Sequence, residues 1–207
     1  MARKIYLSPS NQNDNKYAVG DTNEMVQCNK IASSAKEALA RCGFSVKKAA
    51  QGQSMYVSVR ESNEWGADLH IPIHTNAFDG KTTGGTLVML YSSEGENYRA
   101  GKAILNSVGP ITPGGDYAIR TNKELYELNA TSATAVYTEV EFHDTKEGAA
   151  FIIGSTEKIG EAIAKGVCGF YGVPYQPGNG GSQENEDITL EMYRVRKTWS
   201  DVKSQIG

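Results

Sequence analysis

Four side chains in this 207-residue sequence have the types and placement to share one piece of chemistry: Glu24, His74, Glu139 and His143. His74 closes an apolar stretch, Ala67-Asp-Leu-His-Ile-Pro-Ile-His, and a polar Thr-Asn-Ala-Phe-Asp-Gly follows it. Glu139 and Glu141 lie in Val136-Tyr-Thr-Glu-Val-Glu-Phe-His-Asp. A carboxylate inside such an apolar run needs a reason, because burying an unpaired charge is costly. Two apart on a strand, the pair shares a face. Glu24 opens a helical pattern. Imidazole nitrogen and carboxylate oxygen are zinc donors, and a catalytic zinc keeps one position open. With a further carboxylate as general base and acid, the set suits metal-assisted hydrolysis, with water as the nucleophile.

Each residue also has a plainer reading. A lone His such as His74 is more often a structural hydrogen-bonding group. His70 shares its face but lies four residues deeper, roughly 13 Å along a strand. Both cannot hold one ion, so His70 is read as structural. Asp21 and Glu24 fit a capping box, with Glu24 turned back on the cap. Glu141, at the strand's exit, would pair with a Lys or Arg. His143 is either a loop cap or a ligand. Asn76 and Arg120 are candidates for substrate contact only because they are expected in loops near the crevice.

These residues need a scaffold. From Thr22 to Cys42 apolar residues recur three and four apart, the spacing of an amphipathic helix, which Gly43 stops. Lys4–Leu7, Phe44–Lys48, Ala67–His74, Gly84–Tyr91 and Ala133–Phe142 read as strands. Further helices are expected at 54–65, 94–108, 146–153 and 155–170, and Gly109-Pro-Ile-Thr-Pro-Gly-Gly reads as a loop. Strands alternating with helices imply an α/β fold in three layers: a mostly parallel, twisted sheet with helices on both faces. Ligands in such sheets bind beyond the carboxyl ends of the strands. That places the crevice among residues 8–24, 74–80 and 139–144. After Val173 the texture changes. Residues 174–187 are Pro-, Gly- and polar-rich, as in a linker, and 188–207 are too few to form a core alone.

Composition narrows the classes. The formal net charge is −3, with 21 basic and 24 acidic residues, and no basic run marks a nucleic-acid partner. No apolar stretch approaches the ~20 residues of a membrane span. The amino terminus lacks the apolar core of a signal peptide, so an extracellular role would need another route, such as holin-type release. Cys28, Cys42 and Cys168 have no metal-site spacing. Cys28 and Cys42 fall on one helix roughly 21 Å apart, too far to bridge, and all three read as small buried hydrophobes.

From about Lys4 to Val173 the sequence resembles the zinc-dependent N-acetylmuramoyl-L-alanine amidases of the type often called Amidase_3. Ala67-Asp-Leu-His-Ile-Pro-Ile-His-Thr-Asn-Ala is similar to the family's strand ending in His-x-Asn-Ala. Thr22-Asn-Glu-Met-Val-Gln-Cys-Asn-Lys-Ile-Ala is similar to its first helix, and residues 134–151 to its Pro-Ala-Val-Leu-Val-Glu segment. Gly84-Gly-Thr-Leu-Val-Met-Leu-Tyr-Ser resembles the strand after the His-x-Asn turn. The resemblance implies a sheet of about six strands and hydrolysis of the amide between N-acetylmuramic acid and the L-alanine of the stem peptide in bacterial peptidoglycan. It implies that His74 and Glu24 bind Zn2+ and that Glu139 is the catalytic carboxylate.

One segment departs from the family. Most members carry Gly-His after the first strand, that His being a ligand; here Ser10-Asn11 stand there. Three readings follow: His143 supplies the missing imidazole, Asn11 or Gln12 supplies an amide oxygen, or the site binds metal poorly. His143 is preferred, since zinc favours nitrogen over amide oxygen. The functional alternatives are an endolysin-like peptidoglycan amidase, a related module that grips muropeptide without cleaving it, and a hydrolase of another amide. The end of the chain resembles the opening of a small cell-wall-binding module of the SPOR-like kind.

Overall fold

In the computed structural model, residues 2–81, 84–115 and 117–178 are described. The chain divides into two units, Met1–Gln176 and Pro177–Gly207. All the elements named below lie in the first. Most of the expected linker, and all of the segment read as SPOR-like, lie outside the described residues.

Seven strands form one sheet: β1 (Lys4–Pro9), β2 (Ser45–Lys48), β3 (Leu69–Asn76), β4 (Leu87–Leu90), β5 (Ala118–Thr121), β6 (Thr134–Ala135) and β7 (Tyr137–Phe142). Their order is β2-β1-β3-β7-β4-β5, with β6 also paired to β3. Every pairing is parallel except β4 with β7. Six helices accompany them: α1 (Glu24–Arg41), α2 (Met55–Trp65), α3 (Gly95–Val108), α4 (Tyr126–Asn129), α5 (Lys146–Gly154) and α6 (Thr156–Tyr171).

The crossover through α1 runs from β1 out to β2, and the one through α2 returns past β1 to β3. Right-handed crossovers in opposite directions put the two helices on opposite faces. The packing agrees: α1 packs on α6 and α6 on α3, whereas α2 packs on α4. On β1 and β3 the side chains alternate accordingly. Ile5, Leu7, Ile71 and Ile73 join the main core with Cys28, Ile31, Ala35 and Leu39 of α1. The intervening Tyr6 and His70 stack on each other, ring centroids 5.4 Å apart, and the Tyr6 hydroxyl meets Glu61 of α2 at 2.6 Å.

The alanines and small residues of α1 allow a close approach by α6. A Cβ at Gly160 would lie 2.6 Å from the Ala35 nitrogen, so glycine is needed there. The helix starts differently from the expected capping box: Asn23, not Asp21, is the N-cap, and its side chain accepts the Val26 N–H at 3.0 Å. Glu24 is thereby released from capping. Two elements, β5 and the single-turn α4, arise where the sequence shows no period. Both are four residues long, too short for a repeat to emerge. The expected loop at 109–115 opens with a 3-10 turn, Gly109–Ile111.

Candidate active site

The site forms where β3 ends between β1 and β7. Parallel registry sets His74 beside Glu139 as direct partners, so their side chains leave the sheet on one face. Just beyond, two steps along β3, from His74 to Asn76, match three along β7, from Glu139 to Phe142. Such a bulge breaks the alternation. Glu141 therefore does not share the site with Glu139, contrary to the two-residue spacing. Nor, among the described residues, does it meet a Lys or Arg as expected. It is 1% exposed, and its carboxylate accepts the backbone N–H groups of Gly85 (2.7 Å), Gly114 (3.0 Å) and Phe142 (2.7 Å). Its role is to fasten two loops to the end of β7.

Glu24 reaches the same rim from the first turn of α1, where the helix dipole favours an anion. Its Oε1 lies 2.8 Å from Nδ1 of His74 and 3.4 Å from the Thr75 N–H, and its Oε2 accepts the Asn15 amide at 2.6 Å. The polar connection between β1 and α1 makes this possible. It is pinned by Ser10 N–H to Ile73 O, Ala18 N–H to His143 O and Glu24 N–H to Asn15 O. Gln12 hangs from it, its side-chain nitrogen 3.4 Å from His74 Nδ1 and its oxygen accepting from Asn15 at 2.8 Å.

The electrostatics couple these groups. Burial works against ionised Glu24, but hydrogen bonds and charge from His74, with the amide of Asn15, outweigh it and hold its pKa below the ordinary value. Burial likewise pulls His74 down. The hydrogen bond to Glu24 and the charges of Glu139 and Glu24 reverse that, leaving His74 raised. Glu139 has no such help: burial pushes it up to about 7, with His74 opposing and Glu24 adding to the rise. Its Oε2 is shut off from solvent with no hydrogen-bond partner.

His143 is 3% exposed and stacks on Tyr17, centroids 5.0 Å apart. Its Nδ1 is 3.0 Å from the carbonyl of Thr75 and 2.9 Å from that residue's hydroxyl. A carbonyl only accepts, so Nδ1 carries the proton and Nε2 keeps its lone pair. Burial lowers the pKa of His143, partly offset by Glu24 and the Thr75 carbonyl.

The expected residues are thus gathered in part. Glu24 and His74 touch, Glu139 adjoins His74, and His143 is joined to them through Thr75. Asn11 and Gln12 line the cleft beside His74. Asn76 and Arg120 prove to be strand residues, on β3 and β5, not loop residues. A zinc ion takes three protein donors at a catalytic site. Glu24 and His74 fit two of those places, and the unmatched oxygen of Glu139 fits an unfilled polar centre. Among the described residues, however, no three His, Cys, Asp or Glu side chains converge closely enough to hold an ion. Sequence reasoning missed Asn15, Thr75 and Tyr17, which hold these groups in place, and weighed Gln12 only as a metal donor. Only the concentration of Asn and Gln after β1 signals any of them.

Comparison with known proteins bears on the family and the fold. A protein of Clostridium perfringens, described as an uncharacterized 38.4 kDa protein, is 29% identical over 163 residues, covering 74% of this chain; the chain spans about half of that relative, 47%. Among solved structures, the amidase AmiC2 of Nostoc punctiforme superposes with a TM-score of 0.74 at 16% identity, covering 82% of this chain and 97% of that one. The catalytic domain of the CD27L endolysin targeting Clostridia Difficile does so with a TM-score of 0.68 at 24% identity, covering 81% and 98%. At these identities the likeness is one of fold. Residues 5–169 match the family described as N-acetylmuramoyl-L-alanine amidase. With that match over most of its length, the chain belongs to the N-acetylmuramoyl-L-alanine amidase family.

Proposed function

We propose that the protein hydrolyses the amide between N-acetylmuramic acid and the L-alanine of the peptidoglycan stem peptide, with Glu139 as general base and acid. The observation that carries this is the placement of Glu139: beside His74 in register, with one oxygen buried and unmatched and a pKa of about 7. A carboxylate of that affinity takes a proton from water and returns it to a leaving amine near neutral pH. Glu24 and His74 are the residues that would hold zinc. His143, its Nδ1 proton committed to Thr75, is the third donor this reading calls on through Nε2, and it would have to move closer to Glu24 and His74 than it stands here. Bound zinc supplies Lewis acidity toward the carbonyl and toward water. Asn15 fixes the second oxygen of Glu24, and Thr75 fixes the ring of His143.

The test is digestion of purified cell walls by zinc-loaded protein, with new L-alanine amino termini as the readout. Release by the wild type and its loss in Glu139→Ala are expected. A fully zinc-loaded protein that releases none overturns the reading.

The absence of a converged three-donor group among the described residues favours a second reading, a module that binds muropeptide without cleaving it. Wall binding that persists with no zinc retained after zinc supplementation would select this reading.

A further inference from the structure

Beside His74 a cleft of about 300 Å³ opens, lined in part by Ser8, Met55, Tyr126 and Glu127. Glu127, on the short helix α4, is 4% exposed and takes no part in the hydrolysis proposed above. Its Oε1 accepts the Ser8 hydroxyl at 2.5 Å and lies 3.2 Å from Nε2 of His70. Those partners come from β1 and β3, so three separate segments build this buried polar cluster.

Geometry indicates how the cluster is charged. His70 is fully buried, and its Nδ1 has no partner. With one proton, on Nε2, the ring donates to Glu127 and leaves only a lone pair unmatched. A second proton, on Nδ1, would leave a buried donor unsatisfied, which is unfavourable. Ser8 and His70 are then both neutral donors. Among the described residues the ion pair recorded for Glu127 is with His70, not with a Lys or Arg. Glu127 thus meets neutral donors on the cleft wall, and a cation entering the cleft would find a carboxyl group with no cationic Lys or Arg partner among the described residues. Met55 and Tyr126, 37% and 36% exposed, provide apolar surface along the same cleft.

We propose that this cleft is an ammonium subsite, in which Glu127 receives a primary amine of the substrate while Met55 and Tyr126 cover its aliphatic part. The inference rests on the amidase reading for the identity of the ligand. A stem peptide offers two such groups: the side-chain amine of a diamino acid at its third residue, and the α-amine set free when the amide is cut.

The experiment is calorimetric titration of the full chain with L-Ala-γ-D-Glu-L-Lys, its α-N-acetyl form and its ε-N-acetyl form. It is repeated with Glu127→Gln, whose fold is checked by circular dichroism. In the wild type, one of the two acetylations is expected to weaken binding tenfold or more. Sensitivity to the ε-acetyl group identifies the side-chain amine, and sensitivity to the α-acetyl group the released amine. Glu127→Gln is expected to bind all three within about twofold of one another. Equal affinity of the wild type for all three, no binding of any at millimolar concentration, or unchanged discrimination in Glu127→Gln overturns the subsite. Release of alanine termini is scored separately. A protein that discriminates yet cleaves nothing keeps the subsite and loses the amidase reading; one that cleaves without discriminating does the reverse.

Discussion

The pKa of Glu139 has a consequence for stability that can be measured without any substrate. The group rises from 4.5 to about 7 on folding because its carboxylate is buried. The folded protein therefore holds a proton on Glu139 between those values, where the unfolded chain has lost it. Stability from this group is unaffected below pH 4.5, falls as pH rises through the window, and reaches its full deficit above pH 7. At about 1.4 kcal/mol per pH unit the deficit is at most about 3.5 kcal/mol. Glu139→Gln removes the charge and keeps the shape. Urea unfolding of metal-free wild type and variant, followed at pH 4.5, 6, 7 and 8, should show the variant gaining on the wild type by about 2–3 kcal/mol across the series. Any pH-independent cost of the new amide cancels in that comparison. Saturating zinc should shrink the effect, because a cation beside Glu139 favours its charged form. A difference between the two proteins that stays flat from pH 4.5 to 8 would refute the argument that Glu139 is desolvated and lacks compensation.

Other substitutions probe the supports of the site. Glu24→Ala, His74→Ala and His143→Ala should each lower zinc affinity by tenfold or more in a competitive chelator titration, whereas Gln12→Ala should leave it within about threefold. Glu141→Gln should cost about 2–3 kcal/mol in urea unfolding, because an amide cannot accept all three backbone N–H groups with the strength of a carboxylate. Asn23→Ala should cost about 1 kcal/mol by the same assay through loss of the α1 cap. Gly160→Ala should cost about 1–3 kcal/mol by driving α6 off α1.

Much of the scaffold was readable along the chain. The three-and-four spacing of α1 matches the side chains it buries. The apolar run ending at His74 matches a strand buried along nearly its full length. Alternation of strands and helices implied a mostly parallel sheet and, through it, the rim where Glu24, His74 and Glu139 meet. The short elements β5 and α4 were not readable, because four residues carry no period. Asn23 takes the place of Asp21 as the cap because the helix begins two residues later than the capping box assumes.

The sequence by itself determined which groups are present to do chemistry, and it put Glu24 at a helix start, His74 near the carboxyl end of one strand and Glu139 within another, close to the rim where parallel sheets hold their ligands. Only the tertiary structure decided how those groups divide. A bulge in β7 turns Glu141 away from Glu139, a matter of registry between strands some 65 residues apart in sequence. The cluster of Ser8, His70 and Glu127 joins residues separated by 119 and 57 positions. No local pattern records such a meeting, because it depends on which strands lie side by side and which face each side chain takes.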